Sequence, residues 1–212
     1  MGALVALGSG TLLIGETKLA VATTRAARSA DETSALVPLP SGHREVSRRR
    51  VAVDGAPAVL IRNERADDHN TGLGGEHVSW LHDDRGRLKG FVRMQQALAS
   101  GTLPTKQVAQ DAALDFLKRA APDLLENLEL HWIAQHDEEV TVTAGAKQVK
   151  TTVAGMKVKM RNTADGRWFW VIIGTDGAPI VFERDIVWVT MPGHRQTEKW
   201  LHDDWLAAQA IQ

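Results

Sequence analysis

The residues best suited to chemistry form a word that occurs twice. Trp80-Leu81-His82-Asp83-Asp84 returns as Trp200-Leu201-His202-Asp203-Asp204. Imidazole and carboxylate are ligands for zinc and other divalent metals. If the two words met in space, His82, Asp83, His202 and Asp203 would supply two imidazoles and two carboxylates. The flanking residues argue for different local structures. The first copy ends a strand and enters the turn Asp83-Asp84-Arg85-Gly86, where Asp is favoured; the second lies in a helical pattern, where Asp suits the first turn. Turn and helix-start roles are therefore the stronger reading, with no metal and no cofactor. A metal-dependent enzyme using the two His-Asp-Asp clusters is the alternative.

No other pattern selects a catalytic set. The chain has no Cys, which removes disulfides, thiolate metal sites and Cys nucleophiles. His77 and His82 are five apart, as are His131 and His136, so on a strand each pair splits between opposite faces. Neither pair has the His-x-x-x-His spacing of a helical zinc hydrolase. Gly72-Leu73-Gly74-Gly75 lacks a following Lys-Ser/Thr and does not lead from a strand into a helix, which argues against a phosphate cradle.

The aromatic residues are more informative. Seven Trp accompany no Tyr, and six of the seven fall at or after Trp132. Trp168 and Trp170 stand in the apolar run Arg167 to Ile173. Trp188 follows Phe182-Glu183-Arg184-Asp185-Ile186-Val187, where three charges interrupt an apolar strand. A β-bulge or a sheet edge explains those charges locally. A binding reading places Arg184 as the partner of an anionic group, in a cleft walled by Trp168, Trp170 and Trp188. The spacing leaves open whether these Trp residues are core or wall. Arg44, Arg48, Arg49 and Arg50 form a basic run, but no aromatic residue precedes Ser79, and 25 basic against 26 acidic residues give no broad cationic footprint. Nucleic acid is not an expected partner.

These residues need elements to position them. Composition is that of a folded globular chain, with 43% hydrophobic and 24% charged residues. Residues 1–40 read as a leader or helix with a linker, because Leu36 to Gly42 holds two prolines and a glycine. Residues 41–102 read as a first, β-rich unit. Its strands, Val51 to Val53 with Ala58 to Ile61 and His77 to Leu81 with Leu88 to Met94, form two hairpins. Residues 103–212 read as a helix, an antiparallel sheet and a C-terminal helix. Ala109, Ala112, Ala113, Phe116, Leu117 and Ala120 make one stripe between Thr105 and Ala121, closed by Pro122. Leu128 to Trp132, Val140 to Val142, Met156 to Met160, Arg167 to Ile173 and Ile180 to Val189 read as strands. The alternation of Met156, Val158 and Met160 with Lys157, Lys159 and Arg161 predicts a cationic face turned to water. Thr197 to Ile211 reads as the terminal helix. The expected fold is α+β, an antiparallel sheet or sheets with helices packed on one face, and a tandem helix-plus-sheet repeat is a further option.

The Ala-rich helix of Thr105 to Pro122, followed by the aromatic strand Trp168 to Val171, the turn Asp176-Gly177 and an apolar strand, resembles the PepSY-like group of small exported or membrane-tethered domains. The resemblance covers roughly residues 103–190. It implies a binding, inhibitory or chaperone-like role outside the cytoplasm, with no catalytic residues.

The amino-terminal segment allows two readings. Ala3 to Ile14 is apolar and Ala20-Val21-Ala22 has signal-peptidase spacing, yet Glu16 to Ala30 is free of Gly and Pro and has helical character. No apolar run is long enough for a membrane span. The combined expectation is a non-enzymatic binding or interaction domain, periplasmic or secreted, with a cytoplasmic location as the alternative. Trp168, Trp170, Arg184 and Trp188 would bind a protein or small-molecule ligand. Self-assembly into a homo-oligomer, or docking on a partner, would use the terminal helix.

Overall fold

The computed structural model describes residue 37, residues 39–191 and residues 193–209. The two readings of the amino-terminal segment lie outside the described residues. Eight strands build one antiparallel sheet: β1 (His43–Val53), β2 (Ala56–Arg65), β3 (His77–Asp83), β4 (Leu88–Met94), β5 (Leu128–Ala144), β6 (Lys147–Asn162), β7 (Trp168–Ile173) and β8 (Pro179–Ile186). Their order is β1-β2-β3-β4-β8-β7-β6-β5. Two four-stranded meanders thus join through their last strands, β4 and β8. A two-residue hairpin, β9 (Trp188–Val189) with β10 (His194–Arg195), follows. The helices are α1 (Lys106–Ala120) and α2 (Asp203–Gln209).

This corrects the expected α+β class and its tandem helix-plus-sheet variant. Half of the described residues are strand and the chain is mostly β. Two segments account for the difference. Ala144 to Gly155, which lacks clean alternation, holds the turn and the first half of β6, so β5 and β6 run for 17 and 16 residues. Thr197 to His202 is irregular rather than helical, and among the described residues α2 spans seven, Asp203–Gln209. The helical elements also do not share one face.

Local signals explain the β1–β2 hairpin and helix α1. Asp54 and Gly55 both take positive φ (51° and 77°), the conformation of a two-residue hairpin turn, and Asp-Gly supplies it at little cost. Thr105 caps α1 by accepting the Val108 N–H, and its stripe buries Ala109, Ala113, Phe116, Leu117 and Ala120. That stripe packs on Phe91, Phe169, Val171 and Phe182, with Phe116 edge-on to Phe91 and Phe182.

The other face of the sheet is covered differently. Beyond Met156 the β5–β6 pair leaves β7 and crosses the sheet as a two-stranded ribbon. Val140, Val142 and Val153 on the ribbon join Leu60, Leu81, Trp170, Ile172 and Val181. The ribbon end then meets the loop between β2 and β3, where the Thr141 N–H donates to Gly74 O at 2.7 Å and the Thr143 N–H to Asn70 Oδ1 at 2.6 Å. The C-terminal segment completes the cover with Trp200, Leu201 and Leu206.

Trp200 is fully buried because Gly90 in β4 makes room for it. A Cβ at Gly90 would stand 2.1 Å from the Trp200 ring and 2.5 Å from Phe182 O. Gly90→Ala is expected to lower stability by about 3 kcal/mol, the upper end of overpacking costs. Combining it with Trp200→Leu should recover part of that loss, because only the ring clash is relieved. Urea unfolding of the two single variants and the double variant measures the coupling.

Candidate functional site

Between the ribbon and the C-terminal segment lies a cleft of about 540 Å³, within the usual range for ligand pockets. Strands β5 to β10 and the segment before α2 all contribute to it. β5 supplies His136 and Glu138, β6 Lys157, β7 Trp170, β8 Glu183 and β10 Arg195, while Lys199 and His202 come from the approach to α2. Trp170 forms the floor and is only 5% exposed. Trp188, 44% exposed, stands at the wall.

The charges are organised around Trp170. Lys157 Nζ rests 3.8 Å from its ring centre, and the Arg195 guanidinium lies at 5.6 Å. Arg195 Nη2 meets Glu183 Oε1 at 2.8 Å, an ion pair too bent for a hydrogen bond. The same guanidinium donates to Thr197 O and Glu198 O, which shapes the segment leading to Trp200. Burial alone would raise the Glu138 carboxyl. Its hydrogen bond with His136 at 3.1 Å, with the nearby His202 and Lys157, outweighs burial and holds it below the usual carboxylate range. Burial pushes Lys157 down to about 8; Lys159 and Arg195 add to this, and Glu183 and Glu138 oppose it.

Beside the cleft a smaller cavity of about 90 Å³ shares Glu138, Glu183 and His202 with it. His77 lines this cavity. Its Nδ1 lies 2.8 Å from Gly75 O, and a carbonyl only accepts, so Nδ1 carries the proton. Nε2 is then a bare acceptor, buried and without a partner among the described residues. Next to it, Arg62 makes a polar knot. It donates to Glu64 at 2.6 Å, to Asp203 at 2.7 and 3.2 Å and to Gly72 O at 2.8 Å. The Gly74 N–H also bonds Asp203. A reciprocal pair, Asp54 N–H to Glu198 and Glu198 N–H to Asp54, ties the same segment to the β1–β2 turn.

The structure separates the residues that the sequence singled out. Trp170 and Trp188 line the cleft together. Trp168 lies beside them, its ring 4.3 Å from Lys159 Nζ, while Trp188 and Trp132 approach the same ammonium at 5.2 and 5.6 Å. Arg184 points to the face of α1 and pairs with Asp123 and Asp185. The reason is a bulge: Trp168 and Trp170 oppose Ile186 and Glu183, so β8 carries an extra residue there, and Asp185 has φ 62°. Glu183, not Arg184, faces the Trp residues. The chemical groups of the two repeated words serve separate partners. Trp80 packs in the core under α1, whereas Trp200 packs in the core on the opposite face. Asp83 holds Arg87 and its own turn, and Asp203 holds Arg62. Among the described residues no three His, Asp or Glu side chains form a group that could hold a metal ion. The Gly-rich loop serves as the docking knot for the ribbon and α2.

The alternation along β6 predicts Lys157 and Lys159 on a face turned to water. They lie over Trp170 and Trp168 instead, because Lys159 is the register partner of Trp170. The alternation of both strands carries that signal once their pairing is known. His136, Glu138, Arg195 and Lys199 have no comparable signal in the sequence. Comparison with protein-family models, with curated proteins and with solved structures finds no match for this chain.

Burial and, secondarily, the charge of Arg62 push His77 down to about 4 from 6.5. Between these values the unfolded chain binds the extra proton, so stability falls as pH drops through the window and is fully present above about 6.5. Urea midpoints taken from pH 7 to pH 4 should fall in the wild type. His77→Gln should flatten the part due to His77, which amounts to at most about 3 kcal/mol.

Proposed function

We propose that this protein is a non-enzymatic binding domain acting outside the cytoplasm, and that its ligand is a small organic anion held in the Trp-walled cleft. The observation that carries this reading is the convergence of Lys157, Arg195 and Lys199, from three separate segments, on one cleft with Trp170 as floor and Trp188 as wall. Glu183 already pairs with Arg195, and Glu138 with His136. Lys157 and Lys199 have no carboxylate partner among the described residues. Carboxylates and phosphates complement such a site through charge-assisted hydrogen bonds, while the indoles contact an apolar portion of the ligand. The export component is supported by the apolar run Ala3 to Ile14 and by Ala20-Val21-Ala22. The resemblance to PepSY-like domains points to the same kind of role.

Calorimetric titration with citrate, pyrophosphate and choline tests the ligand class. Citrate or pyrophosphate should bind, more weakly as salt is raised, and choline should not. Trp188→Ala should weaken anion binding roughly three- to tenfold, as expected for one lost aromatic contact. Lys199→Glu should weaken it by about tenfold or more while the fold is retained. Choline binding as tightly as citrate would sink the reading. Fusing residues 1–24 to a reporter active only after export tests location: transport with cleavage after Ala22 is expected, and retention in the cytoplasm removes that component.

A further inference from the structure

Lys157 differs from the other lysines of the cleft face in how its charge is treated. It leaves β6 toward the cleft, and its ammonium lies on the Trp170 ring at 3.8 Å. No carboxylate among the described residues comes within ion-pairing distance of it. The residue is half-buried, so a ligand in the cleft can reach the nitrogen. Arg195 and Lys199 line the same space and can hold an anionic group beside it.

We propose that Lys157 is a carbonyl-reactive lysine, whose amine forms an imine with an aldehyde or ketone that also bears a carboxylate or phosphate. This rests on the anion-binding reading of the cleft. The nitrogen lone pair adds to the carbonyl carbon, and a proton passes from nitrogen to oxygen to give a carbinolamine. The hydroxyl then takes a proton and leaves as water as the C=N bond forms. One amine and one carbonyl yield one imine and one water, with no oxidant or reductant. The charged groups that act on the amine are Glu138 from β5, Lys159 from β6, Glu183 from β8 and Arg195 from β10.

The electrostatics agree with this geometry. With burial holding the group at about 8, roughly one amine in ten is unprotonated at pH 7, about two hundredfold more than for an ordinary lysine. A lysine desolvated in a pocket next to other cations is a recognised way to make an amine nucleophilic near neutral pH.

The test incubates the full chain with glyoxylate and cyanoborohydride at pH 7, followed by peptide mapping for carboxymethyl-lysine. Lys157 should be labelled about tenfold faster than the exposed Lys106 and Lys118 of α1, with a rate that rises with pH and levels near 8. Glyoxylate should outpace propanal, which lacks the charge, and citrate should slow the glyoxylate reaction. Lys157→Arg should lose the fast adduct, with labelling of Lys106 and Lys118 unchanged. Equal labelling of Lys106, Lys118 and Lys157 overturns the proposal, even with citrate binding intact. Equal rates for propanal and glyoxylate overturn the anionic ligand class. Loss of citrate binding in the wild type overturns the cleft reading itself, so the two failures are distinguishable.

Discussion

Strand β7 is apolar on both of its sides. Phe169, Val171 and Ile173 face α1, while Trp170 and Ile172 face away from it. A strand of this kind exposes a large apolar area unless the sheet is covered twice. Helix α1 meets the first demand with one stripe of Ala, Phe and Leu. The second demand is met by pieces: the far half of the β5–β6 ribbon, the short turn Gln96–Ala99 with Leu98, and the segment from Arg195 through α2. Most other features of the molecule follow from the assembly of this second cover.

Separate pieces must be held to one another, and polar contacts do that work. Arg62 is almost wholly buried, which is tolerable only because Glu64, Asp203 and Gly72 O take up its donors. One guanidinium thereby joins β2, the Gly-rich loop and the start of α2. The ribbon end docks on the same loop through backbone hydrogen bonds. Asp54 and Glu198 make a second tie to the β1–β2 turn. The glycines here allow close backbone approach: a Cβ at Gly75 would stand 2.1 Å from Asn70 O.

A cover made of pieces leaves a seam, and the seam is the cleft. A single helix laid across Trp170 would have buried it among apolar side chains. Instead the ribbon brings His136 and Glu138 to one side, and the C-terminal segment brings Arg195, Lys199 and His202 to the other. The Trp ring then faces cations, as a π face favours. Lys157 is caught between burial, which disfavours its charge, and the carboxylates of Glu183 and Glu138, which favour it. Its unusual electrostatics are a product of the packing, not of its neighbours along the chain.

The sequence by itself determined what depends on near neighbours. Helix α1 is legible from its stripe, Thr105 and Pro122. The β1–β2 hairpin is legible from Asp54-Gly55, the bulge is one of two readings of Glu183-Arg184-Asp185, and the Trp residues mark the half of the chain that carries the cleft. These signals act over a few residues, through backbone sterics, capping and alternation. Tertiary structure alone decided the mostly β class, the joining of the meanders at β4 and β8, and the crossing of the ribbon over the sheet. It also decided that Arg184 turns toward α1, that Trp80 and Trp200 of the repeated word lie on opposite faces, and that Lys157 sits on Trp170. Each of these rests on register and contact between residues far apart in the chain, where a one-residue change in pairing or a single bulge exchanges one face for the other.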